Sequence, residues 1–254
     1  MAQRLKKRLG QHLLTAPGWL ERIVATAAVQ PGDGVLEIGP GPGNLTRLLA
    51  DAVGPTGRVL ALELDTDWKP RLEALCASHP QVSVLWCDAL EADLDMLDGW
   101  RVVANIPYYI TAPLVEKLLV ARARFTSLAL LMQKEVALRL HAQRGREVGA
   151  ISYFVHYHCA TEVALTVPAE AFTPPPKVDS ALLLLRPLEE RPVAVAPERL
   201  FPLIRAAFET RRKMLRGSLR GYGEAIFRDS GIAGDRRPED LTLEEFARLA
   251  SASP

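Results

Sequence analysis

The stretch Glu37-Ile-Gly39-Pro-Gly41-Pro-Gly43-Asn44 follows a short aliphatic run and opens a helical pattern. Glycines in such a turn let backbone approach a ligand, and the first helical turn offers free N–H donors. Glu63 closes the next strand-like run, 20 residues after Gly43. A carboxylate there can accept hydrogen bonds from both hydroxyls of a ribose. Cys87-Asp88-Ala89-Leu90 follows a third run. Asp88 can accept from the amino group of an adenine, and the N–H of Ala89 can reach a ring nitrogen. Taken singly, these are also a plain glycine turn, a strand-end acid and a loop aspartate. In order at three successive strand ends, they describe a nucleoside site.

A fourth run ends in Asn105-Ile106-Pro107-Tyr108. The amino nitrogen of adenine is a poor nucleophile because its lone pair is delocalised into the ring. Two acceptors aimed at its protons favour a more pyramidal, more reactive nitrogen. The side-chain oxygen of Asn105 and a backbone carbonyl at Ile106 or Pro107 can supply them. Pro107 has a fixed φ and no N–H, which helps set the turn. Tyr108 offers a face on which a base can stack, worth about 1–3 kcal/mol. The tetrapeptide resembles the (N/D)PPY-type signature of methyltransferases that modify exocyclic amines. A dinucleotide fingerprint wants its third glycine where this chain has Asn44. GxGxG after an acid instead resembles the turn of S-adenosylmethionine methyltransferases.

Residues 33–132 alternate short β-rich runs with helical patterns, which predicts βαβ units, a parallel sheet and helices on both faces. Strands are expected at 34–38, 58–62, 82–86, 101–104 and 127–132, and helices at 44–52, 67–78 and 114–123. Helices at 133–141 and 150–157 follow. Two apolar runs, 159–167 and 178–185, flank a proline-rich connection and read as a hairpin. The proline- and charge-rich stretch 186–197 is the linker candidate, and 198–254 reads as helical with a break at 231–238. The expected class is α/β, with domains over 1–187 and 198–254.

The chain has 254 residues, 48% apolar and 24% charged, as in ordinary globular proteins. No apolar stretch has the roughly 18 residues of a membrane span. The basic start lacks the apolar region of a secretory signal. Cys76, Cys87 and Cys159 are widely spaced, which argues against a disulfide framework or a metal site and fits a cytoplasmic setting. The net charge of +1 hides two basic clusters. One holds Arg4, Lys6, Lys7 and Arg8; the other holds Arg211, Arg212, Lys213 and Arg216. Each alone could be a solvated face, but the two together suggest a polyanion-binding surface.

Five blocks in order resemble the small-subunit ribosomal RNA adenine dimethyltransferases, the KsgA (RsmA) family. They are Gly10-Gln-His-Leu-Leu14, Glu37–Gly43, Asn105–Tyr108, Phe172-Thr-Pro-Pro-Pro-Lys-Val-Asp-Ser180, and Phe208-Glu-Thr-Arg-Arg-Lys213 with Ser218-Leu219. The resemblance implies a Rossmann-like domain with a small helical C-terminal domain. It implies four methyl transfers from S-adenosylmethionine, leaving S-adenosylhomocysteine, to two adjacent adenines in the 3′-terminal hairpin of small-subunit RNA. The substrate would be an assembly intermediate. A monomer is the default for a chain with no evident self-pairing feature, and the Cys/His spacing gives no reason to expect a metal. Gln11, His12 and Leu13 match the block that closes over the methionine part of the donor. Gly39, Gly41, Glu63, Asp88, Ala89 and Asn105 match cofactor positions, and Phe172 an aromatic closing on the far face of the target base. The second basic cluster matches an RNA-contacting helix.

Three departures stand out: His12-Leu13 replaces a common Asn-Phe, Tyr109 a frequent Asn or Gln, and Thr210 a frequent Gln. Large-subunit RNA dimethylation, a non-catalytic RNA-binding or transcription factor, a small-molecule methyltransferase and a dehydrogenase are the alternatives. The Pro-Pro-Pro-Lys-Val-Asp-Ser loop and the Arg-Arg-Lys helix favour the small-subunit enzyme over the first. The intact Glu63, Asp88, Asn105 and Tyr108 set disfavours the second, and the basic clusters and glycine spacing disfavour the last two.

Overall fold

The computed structural model describes residues 12–121, 125–210 and 213–253. Strand β1 (Leu13–Leu14) and helix α1 (Pro17–Thr26) lead into β2 (Gly34–Ile38), α2 (Asn44–Val53), β3 (Arg58–Glu63), α3 (Lys69–Ser78) and β4 (Val82–Trp86). Then come β5 (Trp100–Asn105), α4 (Thr111–Val120), β6 (Phe125–Gln133), α5 (Lys134–His141) and α6 (Ala150–His158). The chain continues through β7 (Cys159–Val167), β8 (Phe172–Thr173) and β9 (Ser180–Pro187). Helices α7 (Pro197–Glu209), α8 (Leu215–Ser218), α9 (Ala225–Ser230) and α10 (Leu243–Ala252) close it. Among the described residues no helix is long and apolar enough to cross a membrane.

The seven-stranded sheet has the order β4-β3-β2-β5-β6-β9-β7. Strands β2 to β6 pair in parallel, and β9 joins β6 antiparallel. The seven-stranded sheet starts at β2, winds outward to β4, then returns to place β5 on the other side of β2. This reversal opens a crevice at the carboxyl ends of β2 and β5, where ligands of open α/β sheets bind. Helix α2 covers the sheet with Leu45, Leu49, Ala50 and Val53, all buried at helical spacing. The expected strands are all present, and β9 lies beside β7 as the hairpin reading requires.

One pairing was not expected. The connection between β7 and β9 contains β8, which pairs antiparallel with β1, Leu14 opposite Phe172 and Leu13 opposite Thr173. Partners in an antiparallel pair share a face, and neighbours alternate. Leu14 and Phe172 therefore both enter the hydrophobic cluster that also holds Ile23, Val35 and Leu182. Leu13 turns the other way.

The chain divides into two compact units. One holds the described residues up to Ala137 with Thr161–Pro187; the other holds Leu138–Ala160 and the described residues from Leu188 onward. The division after Pro187 coincides with the expected boundary; the difference is that Leu138–Ala160, with α6, groups with the C-terminal helices. The Tyr153 hydroxyl donates to the Leu241 carbonyl at 2.8 Å, and its ring meets Phe246 edge-on at 4.8 Å. Phe201 of α7 packs against Phe154 and Tyr157. Groups 44 to 93 residues apart in the chain thus build this second core.

Candidate active site

The turn after β2 is tight against its surroundings. Gly41 has φ +55°, and a Cβ there would stand 3.3 Å from Leu13 Cδ2. Gly43 has φ +82°, and a Cβ there would stand 3.0 Å from Leu75 Cδ1. Both positions combine left-handed backbone with close approach, which only glycine accommodates without strain.

Glu63 at the end of β3 ties this turn to the sheet. Its Oε2 accepts from the Gly41 amide at 2.9 Å and its Oε1 from the Asp65 amide at 2.7 Å. A carboxylate has about four acceptor sites, so each oxygen keeps capacity for a ligand hydroxyl. Burial pushes its pKa up, while the Asp65 and Gly41 amides pull it down. After β4, Asp88 Oδ1 accepts from the Leu90 amide at 2.8 Å, which fixes the carboxylate and leaves Oδ2.

Asn105 ends β5. Its Nδ2 donates to the His12 carbonyl at 3.2 Å, so Oδ1 is the end left to accept. The Pro107 carbonyl is committed to the Ile110 amide at 3.1 Å, closing a one-turn 3₁₀ helix. The Ile106 amide donates to Leu131 of β6 at 2.9 Å. Of the two carbonyls considered from the sequence, that of Ile106 is thus the better candidate for the second acceptor. The Tyr108 hydroxyl bonds Ser180 Oγ at 2.9 Å, and its half-buried ring lies near parallel to His12, centroids 5.5 Å apart. His12 Nδ1–H donates to the Pro174 carbonyl at 2.8 Å.

One cavity joins these groups: His12, Leu13, Gly39, Gly41, Glu63, Asp88, Ala89, Asn105, Pro107 and Tyr108 all line it. Behind it, a smaller cavity is bounded by Leu13, Gly39, Asn105 and Glu37. Glu37 is only 1% exposed, and its Oε2 has no hydrogen-bond partner. Burial pushes its carboxyl up to about 8, with the Thr46 hydroxyl pulling against this and the Glu63 charge adding to it. The unfolded chain releases this proton near 4.5 and the folded, ligand-free chain near 8, so stability falls as pH rises through that window. Glu37→Gln is expected to gain stability relative to the parent from about pH 5 to about pH 8. Urea midpoints at the two ends check this; a constant difference contradicts it.

Phe172 does not reach this cavity. It is 2% exposed in the core, because the β1–β8 register turns it inward beside Leu14. Phe172, expected from the resemblance to close on the target base, is thus not among the residues that line the cavity; the aromatic ring that lies against Tyr108 is His12. Phe172→Ala is expected to cost about 3–5 kcal/mol of stability, and Phe172→Leu to recover most of it with activity intact. Denaturation and turnover of both variants check the assignment; a folded Phe172→Leu chain without activity contradicts it.

Tyr109 and Leu64 also line the cavity. Sequence reasoning noted Tyr109 only as a departure and passed over Leu64, although each directly follows a singled-out residue. Gln11, Arg4, Lys6, Lys7, Arg8, Arg211 and Arg212 lie outside the described residues. Lys213 and Arg216 belong to the second unit and are exposed. Among the described residues no three His, Cys, Asp or Glu side chains gather as a metal site would need.

The sequence pattern of the family described as "Ribosomal RNA adenine dimethylase" matches residues 2–252. The chain belongs to the ribosomal RNA adenine dimethylase family. A small-subunit ribosomal RNA methyltransferase A of Clostridium acetobutylicum is 38% identical, over 97% of this chain and 93% of its own. A dimethyladenosine transferase of Plasmodium falciparum superposes with a TM-score of 0.81 at 26% identity, covering 94% of this chain and 96% of the other. The 23S ribosomal RNA methyltransferase ErmE gives 0.73 at 28% identity, covering 95% and 99%. In this dimethylase, Asn105 and the two acids thus stand on a fold shared with ribosomal RNA methyltransferases.

Proposed function

We propose that the chain dimethylates the N6 amines of two adjacent adenines in the 3′-terminal hairpin of small-subunit ribosomal RNA. The observation that carries this reading is one cavity holding both a nucleoside-type acid pair, Glu63 and Asp88, and the amine-accepting turn Asn105–Tyr108. The relative named a small-subunit methyltransferase, matched over nearly the whole chain, supports that RNA over the large-subunit alternative.

The donor is S-adenosylmethionine, which supplies a methyl group already activated on a sulfonium. The residues fit it. Glu63 and Asp88 suit the ribose hydroxyls and adenine amine, and the unpartnered Glu37 Oε2 suits the cationic amino-acid end. Asn105 Oδ1 and the Ile106 carbonyl hold the two amine protons of the acceptor, and Tyr108 stacks its ring. Catalysis then rests on positioning in a site screened from water, and no general base is required before transfer.

The RNA is held by Lys213 and Arg216 together with Arg4, Lys6, Lys7, Arg8, Arg211 and Arg212, through phosphate contacts that weaken with salt. An assembly intermediate is the substrate, and the chain acts as a cytoplasmic monomer.

The test is to incubate the chain with S-adenosylmethionine and unmethylated small subunits, then identify the modified nucleoside by mass spectrometry. N6,N6-dimethyladenosine is expected. Label in another nucleoside, or donor binding without transfer, contradicts the proposal.

A further inference from the structure

The turn after β5 carries two consecutive tyrosines that diverge across the sheet. Tyr108 reaches the start of β9, where it bonds Ser180. Tyr109 instead lines the cavity together with Asp88 and Glu63, whose charges add to burial in pushing its phenol up. In the sheet order, β9 stands on one side of β5, while β3 and β4 stand on the other. The two rings therefore serve different ends of one cavity.

Tyr109 is also left uncovered. It is 53% exposed and Leu64 is 48% exposed, and both line the cavity beside the acids. Two large apolar side chains open at one cavity are a surface that a bound ligand covers. An aromatic ring suits a purine, whose faces stack favourably on it. The two carboxylates that line the same cavity add a polar edge of the kind a nucleoside needs.

We propose that Tyr109 covers the adenosyl group of the methyl donor and sets its affinity, while Tyr108 serves the acceptor base. The two tyrosines thus partition two adenosines within one site. The inference rests on the assignment of Glu63 and Asp88 to the donor nucleoside. Donor and product share the adenosyl group, so Tyr109 holds both, and its loss weakens both by the same factor.

Calorimetric titration of the full chain tests this. Tyr109→Asn, which installs a residue frequent in the family, is expected to raise Kd for S-adenosylmethionine, S-adenosylhomocysteine and 5′-methylthioadenosine together, by about tenfold. Tyr109→Phe keeps the ring and is expected to stay within about threefold. Neither changes KM for the ribosomal substrate, and melting temperatures stay at the parent value because the side chain is half exposed. If Tyr109→Asn binds all three ligands normally while Glu63→Ala has lost affinity, the role of Tyr109 is overturned and the site assignment survives. If Glu63→Ala also binds normally, the nucleoside assignment itself fails. A raised KM for the ribosomal substrate with unchanged donor affinity places Tyr109 with the acceptor and overturns the inference.

Discussion

Asn105→Ala is expected to lower the rate of methyl transfer roughly 100- to 1,000-fold, the scale for removing one preorganised polar contact to a reacting group. Donor affinity should change only a few-fold. The reason lies in the amide's two ends. Nδ2 is committed to the His12 carbonyl, so Oδ1 has a fixed direction and no side-chain rearrangement is needed on binding. Alanine removes one of the two acceptors that make the amine nucleophilic and leaves the Ile106 carbonyl alone. Asn105→Asp keeps an acceptor but loses the donor to His12, so it should retain more activity than alanine. Single-turnover rates with saturating donor and RNA measure the chemical step directly. Near-normal turnover in the alanine variant contradicts the role.

Glu63→Ala is expected to raise Kd for S-adenosylmethionine about 100-fold, equivalent to about 2.7 kcal/mol. Hydrogen bonds to a charged partner contribute about 1.5–3 kcal/mol each, and the variant loses those to the ligand while stranding two amides. Gly41 and Asp65 both donate to this carboxylate, so the glycine turn also loses its anchor to β3. The two effects can be separated. Glu63→Gln keeps an acceptor at one position and should be weakened less than alanine. Because burial is the main cause of the raised pKa of Glu63, acid should protonate it and weaken the donor as pH falls. Equilibrium titration of both variants across pH checks this, and unchanged affinity in Glu63→Ala contradicts the ribose assignment.

The parallel sheet was legible because its strands are short, aliphatic and punctuated by helical patterns. Functional groups of such folds collect at carboxyl strand ends, so Gly39, Glu63, Asp88 and Asn105 could be aligned before any contact was known. What failed to show was anything decided by register or by distant side chains. Phe172 sits in a two-residue strand, where one step of register decides between core and cavity. Nothing local in Phe-Thr-Pro-Pro-Pro marks that choice. The grouping of α6 with the C-terminal helices depends on Tyr153 reaching Leu241, a pairing that no periodicity encodes. The direction of the Asn105 amide was equally hidden, because its partner is a backbone carbonyl 93 residues earlier. Residue type and spacing thus pointed to side chains that line one cavity, and long-range hydrogen bonds determined their orientation.

The most direct test of the central claim is a competition for methyl groups. Purified chain, labelled S-adenosylmethionine, unmethylated small subunits and unmethylated large-subunit RNA are incubated together, and the label is mapped by mass spectrometry. The proposed function requires dimethyladenosine at two adjacent positions near the 3′ end of the small-subunit RNA, and none in the large-subunit RNA. Label confined to the large-subunit RNA, or no label despite bound donor, contradicts it.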